Sequence, residues 1–260
     1  MKNLLITVFA SLVGITAAAQ NKKTTFVLVH GAWSDASAWK EVTPFLKAEG
    51  YNTIVVNLPG HGDDKTPFAS ITLQSYVDAV KKEIGSNKNI ILVGHSMAGM
   101  VISQVAEDMP KSIKKVVYLS AYLPENGQSL LDLAKTDSES LVGKFLQIDQ
   151  PNASAGIAKE AVVDIFVADG SKIVKKQFSN GVQPDPLAPF ATPVKLTEQN
   201  FGAMEKVYIY TKNDQAIGYT KQLAMAKIGK VKTEYTLLSS HTPFLSMPEK
   251  VANILTKEAK

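Results

Sequence analysis

Ser96 stands at the centre of Gly94-His95-Ser96-Met97-Ala98, with Gly99 one place later. The apolar run Ile90-Ile91-Leu92-Val93 precedes it, and the amphipathic stretch that opens at Met100 follows. This order reads as a strand, a tight turn and a helix, with the serine hydroxyl lifted out at the apex of the turn above a helix N-terminus. Such a hydroxyl is a candidate nucleophile. Small residues are needed at 94 and 98, because the chain reverses so sharply that a bulky side chain would meet the adjoining backbone. The usual pattern is G-x-S-x-G, and here its fifth position is Ala98, the smallest residue with a Cβ. The plainer alternative is that Gly94 and Ser96 only cap a helix behind a strand.

A serine hydroxyl needs a base to become a nucleophile, and the base needs an orienting carboxylate. The chain has four histidines. His95 adjoins the serine, but strand alternation should turn its side chain away. His30 closes the first apolar run, where a structural hydrogen bond is expected. His61 lies in Pro59-Gly60-His61-Gly62 and reads as a loop contact. His241 lies in Ser239-Ser240-His241-Thr242-Pro243, a loop expected to be flexible, after the last strand and at the sheet edge that also carries Ser96. It is the candidate base, with a solvated loop histidine as the alternative.

The candidate acid is Asp214, just after Val207-Tyr208-Ile209-Tyr210-Thr211. One helix and one strand separate it from His241, about one parallel crossover. Glu125, after the strand ending at Ala121, competes for the role, and Asp214 would otherwise be an ordinary turn residue in Lys212-Asn213-Asp214. Acyl transfer also requires N–H donors aimed at a developing oxyanion. Met97, directly after the serine, offers one. Ala32, in His30-Gly31-Ala32-Trp33, is placed to offer the second, unless that segment is a plain glycine turn.

The elements that must carry these residues alternate. Thr25–Val29, Asn52–Val56, Ile90–Val93, Ile113–Ala121, Lys206–Tyr210 and Glu234–Leu238 read as strands. Helical spacing follows most of them, at Trp39, Val42, Phe45 and Leu46, and again over Ile71–Ile84. This is the signature of an α/β fold with a parallel sheet covered on both faces. The alternation breaks at about 123–199. Helical patches at Leu130–Leu133 and Ala158–Val167 and a proline-rich return over Gln183–Pro193 read as a helical cap over the carboxyl edge of the sheet.

Composition narrows the partners. The chain has 260 residues, 45% hydrophobic and 20% charged, enough for one large domain. All 28 basic residues are lysines, scattered rather than massed, so the net charge of +4 makes no nucleic-acid patch. Without arginine there is no bidentate clamp for a carboxylate or phosphate, which favours a neutral substrate. Met1–Ala19 combines Lys2, a nearly continuous apolar run and Ala17-Ala18-Ala19, and reads as a cleavable signal peptide rather than a membrane span. Residues 20–260 would then form the mature, extracytoplasmic domain, with no stable membrane insertion. The chain has no cysteine, so disulfides, thiolate metal sites and a lipid-modified cysteine are excluded together.

The stretches Phe26–Trp39, Gly94–Val101, Ser120–Pro124, Pro186–Thr197, Val207–Asp214 and His241–Pro248 together resemble the α/β-hydrolase superfamily. The resemblance is closest to its small cofactor-free branch, which holds plant methyl esterases, hydroxynitrile lyases and bacterial esterases. It implies an α/β-hydrolase fold with a mostly parallel six-stranded sheet and a mobile cap inserted after the fourth strand. It also implies a Ser96–Asp214–His241 triad, oxyanion donors at Ala32 and Met97, and no cofactor or metal. The expected activity is hydrolysis of small neutral carboxylic esters, with a carbon–carbon lyase or a non-catalytic binder as alternatives. In the plant lyases of this branch a lysine follows the catalytic histidine and a hydroxyl-bearing residue sits in the oxyanion loop. Thr242 and Ala32 occupy those positions here, so ester hydrolysis is expected over cyanohydrin cleavage. Monomer and homodimer both remain open. If the leader is cleaved after Ala19, intact-mass analysis of the exported protein will give a chain starting at Gln20; retention of Met1–Ala19 would refute the signal-peptide reading.

Overall fold

Six of the apolar runs become strands of a single sheet in the computed structural model, which describes residues 24–260. The expected signal peptide lies outside the described residues. In chain order the strands are β1 (Thr25–Val29), β2 (Asn52–Val56), β3 (Ile90–His95), β4 (Ile113–Leu119), β5 (Leu146–Asp149), β6 (Ser154–Ile157), β7 (Asp185–Pro186), β8 (Lys206–Thr211) and β9 (Thr233–Leu237). The large sheet runs β2-β1-β3-β4-β8-β9, and all of its pairings are parallel. β1, β3 and β8 are buried at every residue because helices cover both faces. Strand alternation sorts their side chains into two cores. Val27, Val29 and Leu92 face one side with Tyr76, Val77 and Val101. Phe26, Leu28, Ile91 and Val93 face the other with Trp39, Leu46 and Leu255.

The strand order reverses between β1 and β3, and a crevice opens at their carboxyl ends for that reason. The register pairs Val29 with Gly94, so the His30–Trp33 loop and the Ser96 turn leave the sheet side by side.

The helices refine the reading from sequence. The helix expected from Trp39 is split into a 3-10 turn, Ala36–Trp39, and α1 (Thr43–Ala48), with Pro44 in the first turn of α1, where it lacks no needed N–H. α2 (Leu73–Ile84) starts two residues later than expected, at a reciprocal capping box between Thr72 and Ser75. α3 (Ala98–Asp108) rises directly from the serine turn. No helix among the described residues is long and apolar enough to cross a membrane.

Between β4 and β8 the helices include Leu130–Ala134, Val162–Phe166 and Lys172–Gly181. A purely helical cap does not describe this segment. β5, β6 and β7 form an antiparallel sheet of their own. Its strands have two to four residues each, too few to display a period of two. Part of the proline-rich return is itself β7.

The glycines around the serine turn are packed without slack. A Cβ at Gly94 would lie 2.7 Å from Ile102 Cδ1, and one at Gly99 only 2.0 Å from the Tyr122 carbonyl oxygen. Gly99, one place beyond the usual motif, therefore allows the backbone after β4 to reach α3. Gly99→Ala will destabilise the fold by about 1–3 kcal/mol or more, as overpacked sites do. Gly143→Ala, whose Cβ would meet nothing within 4 Å, will be neutral or stabilising by up to about 1 kcal/mol. Urea unfolding of the two variants checks the contrast.

Candidate active site

β3 delivers Ser96 into the crevice with a left-handed backbone, φ 55°. An L-residue takes that conformation only when its surroundings impose it. Here the Ser96 N–H donates to Leu119 O at 3.4 Å, and its carbonyl accepts from the Gly99 and Tyr122 N–H groups, both at 3.1 Å. The neighbouring loop touches the same residue, since a Cβ at Gly31 would fall 2.7 Å from Ser96 Cβ. The Ser96 side chain lines a cavity of about 220 Å³, and Ala32, Trp33, Met97 and Tyr122 share its wall. Its hydroxyl makes no hydrogen bond among the described residues.

The loops after β8 and β9 bring Asp214 and His241 together. His241 Nδ1 lies 2.8 Å from Asp214 Oδ2. A carboxylate only accepts, so Nδ1 carries the proton and the lone pair of the neutral ring is on Nε2. Asp214 is fully supplied with donors. Oδ2 also accepts from the Ser120 hydroxyl, from Thr211 Oγ1 at 2.7 Å and from Gln222 Nε2 at 3.2 Å. Oδ1 accepts from the Ala216 and Ile217 N–H groups at 2.7 and 2.9 Å. Burial alone would raise the Asp214 pKa, but the His241 charge and the donors from His241, Ser120 and Thr211 outweigh it, so the carboxyl is held below its ordinary range.

The His241 loop is not the flexible segment its serines suggested. Ser239, Ser240, His241 and Thr242 are all buried. Thr242 donates to Phe166 O at 2.8 Å, and Ser240 bonds Phe166 O and the Asp169 carboxylate. Tertiary hydrogen bonds to the cap replace the water such a loop would otherwise need.

The other candidates divide clearly. Glu125 is exposed, with its backbone N–H bonded to Gln128, and is not the carboxylate on His241. His95 turns off the strand as expected and lies against the His241 ring, its Nε2 2.9 Å from His241 O. Burial, then the neighbouring His241, keeps His95 well below the ordinary histidine pKa, so it supports the loop as a neutral donor. His30 accepts the Leu58 N–H at 3.1 Å, the structural bond anticipated for it. His61 is no mere loop contact: it is fully buried, 3.1 Å from Asp185 of the cap.

Ala32 and Met97 present backbone N–H groups that donate to none of the described residues, and both line the cavity with Ser96. Sequence reasoning missed Ser120, Thr211 and Gln222. The available signal was a hydroxyl ending an otherwise apolar strand, at Ser120 after β4 and at Thr211 in β8. Ser120, like Ser96, is left-handed, with φ 44°.

Residues 26–254 match the alpha/beta hydrolase family. The chain belongs to that family. Three Arabidopsis thaliana proteins named as putative chloroplastic methylesterases 13, 11 and 15 are 28–29% identical over 245–248 residues, about 90% of this chain. The chain spans only 55–64% of the length of those relatives. Salicylic acid-binding protein 2 of Nicotiana tabacum is 26% identical over 259 residues, covering 90% of this chain and 96% of its own. Among solved structures, an extracellular alpha/beta-hydrolase from a Paenibacillus species is 26% identical with a TM-score of 0.77, over 90% of this chain and 98% of that one.

Ser120→Ala removes one donor to Asp214 and will destabilise the protein by about 1–2 kcal/mol at neutral pH. Because Asp214 has a depressed folded pKa, the contribution exists above the unfolded carboxylate value and is lost as pH falls through the folded one. The gap between wild type and variant will therefore narrow below about pH 4. Urea titrations at neutral and acid pH measure it.

Proposed function

We propose that the chain is a serine hydrolase that cleaves small neutral carboxylic esters outside the cytoplasm, with Ser96 as nucleophile, His241 as base and Asp214 as the orienting acid. The carrying observation is the Asp214–His241 contact at 2.8 Å beside a left-handed Ser96 whose cavity wall also presents the free N–H groups of Ala32 and Met97. Ser96 Oγ attacks the ester carbonyl carbon as its proton passes to His241 Nε2. The carbonyl electron pair moves onto oxygen, where the two N–H groups meet the charge. Collapse expels the alkoxide, which takes the proton from Nε2 and leaves as the alcohol. Water then adds to the acyl-enzyme with His241 again as base, releasing the acid and restoring Ser96. Asp214 stays ionised throughout and stabilises the imidazolium.

The substrate class rests on the cavity, whose walls draw on Leu130, Leu131, Val142 and Phe190 and suit an uncharged acyl or alcohol group. The names of the Arabidopsis relatives point the same way. The extracytoplasmic setting is supported by the leader Met1–Ala19 and by likeness to an extracellular hydrolase. A lyase would need a cation for departing cyanide. Thr242 has no charge and its hydroxyl is engaged by Phe166 O; Lys135, which lines the cavity, is the feature that favours this rival.

The test uses purified protein with fluorophosphonate, a panel of methyl and aryl esters, and mandelonitrile. Ser96→Ala will abolish ester turnover by on the order of 10⁴-fold or more, and adding His241→Ala will cost little further, because the triad acts as a unit. Near-normal activity in Ser96→Ala removes the nucleophile assignment. Serine-dependent cyanide release faster than ester hydrolysis establishes the lyase instead, and a wild type inert to every ester and to fluorophosphonate establishes the binder.

A further inference from the structure

The reaction above leaves a second buried acid–histidine pair unused. Asp185, on β7 of the cap, and His61, in the turn after β2, are both fully buried, with His61 Nε2 3.1 Å from Asp185 Oδ1. That is ion-pair distance, although the approach is bent away from a straight hydrogen bond. His61 Nδ1 lies 3.1 Å from the Pro59 carbonyl. A carbonyl only accepts, so the Pro59 contact places a proton on Nδ1, and the Asp185 carboxylate 3.1 Å from Nε2 favours the charged ring by its proximity. His30 packs against His61 at 4.8 Å between ring centroids and has the opposite wiring. Its Nε2 accepts from Leu58 N–H, which leaves the proton on Nδ1, 2.9 Å from Gly31 O. Burial, then repulsion from His61, lowers His30 to about 4. Burial alone would also lower His61, but contact with Asp185 and its charge outweigh that, so His61 is raised. The other titratable groups around the pair are Tyr76 of α2, whose hydroxyl lies 3.5 Å from Asp185 Oδ1, Asp64 in the His61 turn, and Asp35 near His30.

The second oxygen of Asp185 accepts the backbone N–H of Trp33. Trp33 is left-handed, φ 59°, a conformation that a tryptophan keeps only when held. The cap holds it: its indole N–H donates to Ala155 O at 3.0 Å, and its rings pack on Phe166 and Phe190. Trp33 directly follows Ala32, whose free N–H is one of the two oxyanion donors.

We propose that Asp185 and His61 are positioning residues: the buried ion pair fixes the Trp33 turn and thereby aims the Ala32 N–H, so the oxyanion hole is complete only while the cap is seated and the pair is charged. This inference rests on the hydrolase reading. A histidine with a raised folded pKa makes its contribution below its unfolded value and loses it as pH rises through the folded one. Turnover will therefore fall on the alkaline side as His61 loses its proton, above the ordinary histidine range of about 6.5.

The experiment follows kcat and KM for a small ester against pH in the full chain and in Asp185→Asn, His61→Asn and the double variant. Imidazole nitrogen NMR assigns the state of the four histidines in parallel. Asp185→Asn will lower kcat by about ten- to a hundredfold, less than the roughly 10²–10³-fold cost of deleting an oxyanion donor because the N–H is misaimed rather than removed, with KM changed by less than about threefold. It will also erase the alkaline limb, and the double variant will lose little more than either single one. A wild-type kcat and an unchanged limb in a folded Asp185→Asn overturn the proposal. So does a uniform loss that follows stability alone. If Asp185→Asn does not fold, the wild type still decides: the His61 NMR midpoint must coincide with the alkaline midpoint of kcat. A wild type without Ser96-dependent turnover fails the hydrolase reading; the ion pair is then judged by NMR alone, where a neutral His61 at pH 7 overturns it.

Discussion

At Ser96 the backbone is left-handed, and the turn stays closed because neighbouring chain segments approach too near for side chains at three glycines. A Cβ would fall 2.7 Å from Ser96 Cβ at Gly31, 2.7 Å from Ile102 Cδ1 at Gly94 and 2.0 Å from Tyr122 O at Gly99. The strain of such a conformation is of order 1–3 kcal/mol and is offset by strands buried along their whole length. That packing raises the serine above the sheet and into the wall of the cavity that Ala32 and Met97 also line. Remove the close approach and Ser96, Ala32 and Met97 no longer share one cavity wall.

Buried charge around this turn is tolerated because its lone pairs are met. Asp214 accepts from the Ser120, Thr211, Gln222 and His241 side chains and from two backbone N–H groups, so a carboxylate at 3% exposure stays ionised. An unpaired carboxylate there would be driven to take up a proton. His95, kept neutral by burial, braces the His241 backbone from beneath. Orientation of the His241 ring is therefore shared among residues of β3, the turn after β4, β8 and the loop and helix that follow β8.

The cap is joined to the core by polar contacts as well as apolar ones. Thr242 reaches Phe166 O, Trp33 reaches Ala155 O, and Asp137 accepts the Gly218 N–H just beyond the Asp214 loop at 2.8 Å. Each of these ties a loop beside Ser96, Asp214 or His241 to a segment outside the parallel sheet. Such contacts depend on direction, so a displaced cap loses them sharply, unlike apolar packing, which degrades with area.

The sequence by itself determined the parallel α/β frame, because buried strands and amphipathic helices write their periods into consecutive residues. It also pointed to the Ser96 turn, whose small residues and apolar flanks are local features. Asp214 and His241 were legible from chain order, and the structure sets them 2.8 Å apart. What it did not reveal depends on contacts between distant segments. The antiparallel sheet of the cap rests on strands too short to show a period. The rigidity of the His241 loop comes from Phe166, far away in the chain. The support of Asp214 by Ser120 and Gln222, and the pairing of His61 with Asp185, join side chains from separate elements. No local pattern encodes which polar side chain will meet which in a buried site; only the folded chain decides that, because each such group is stable there only once its partner has arrived.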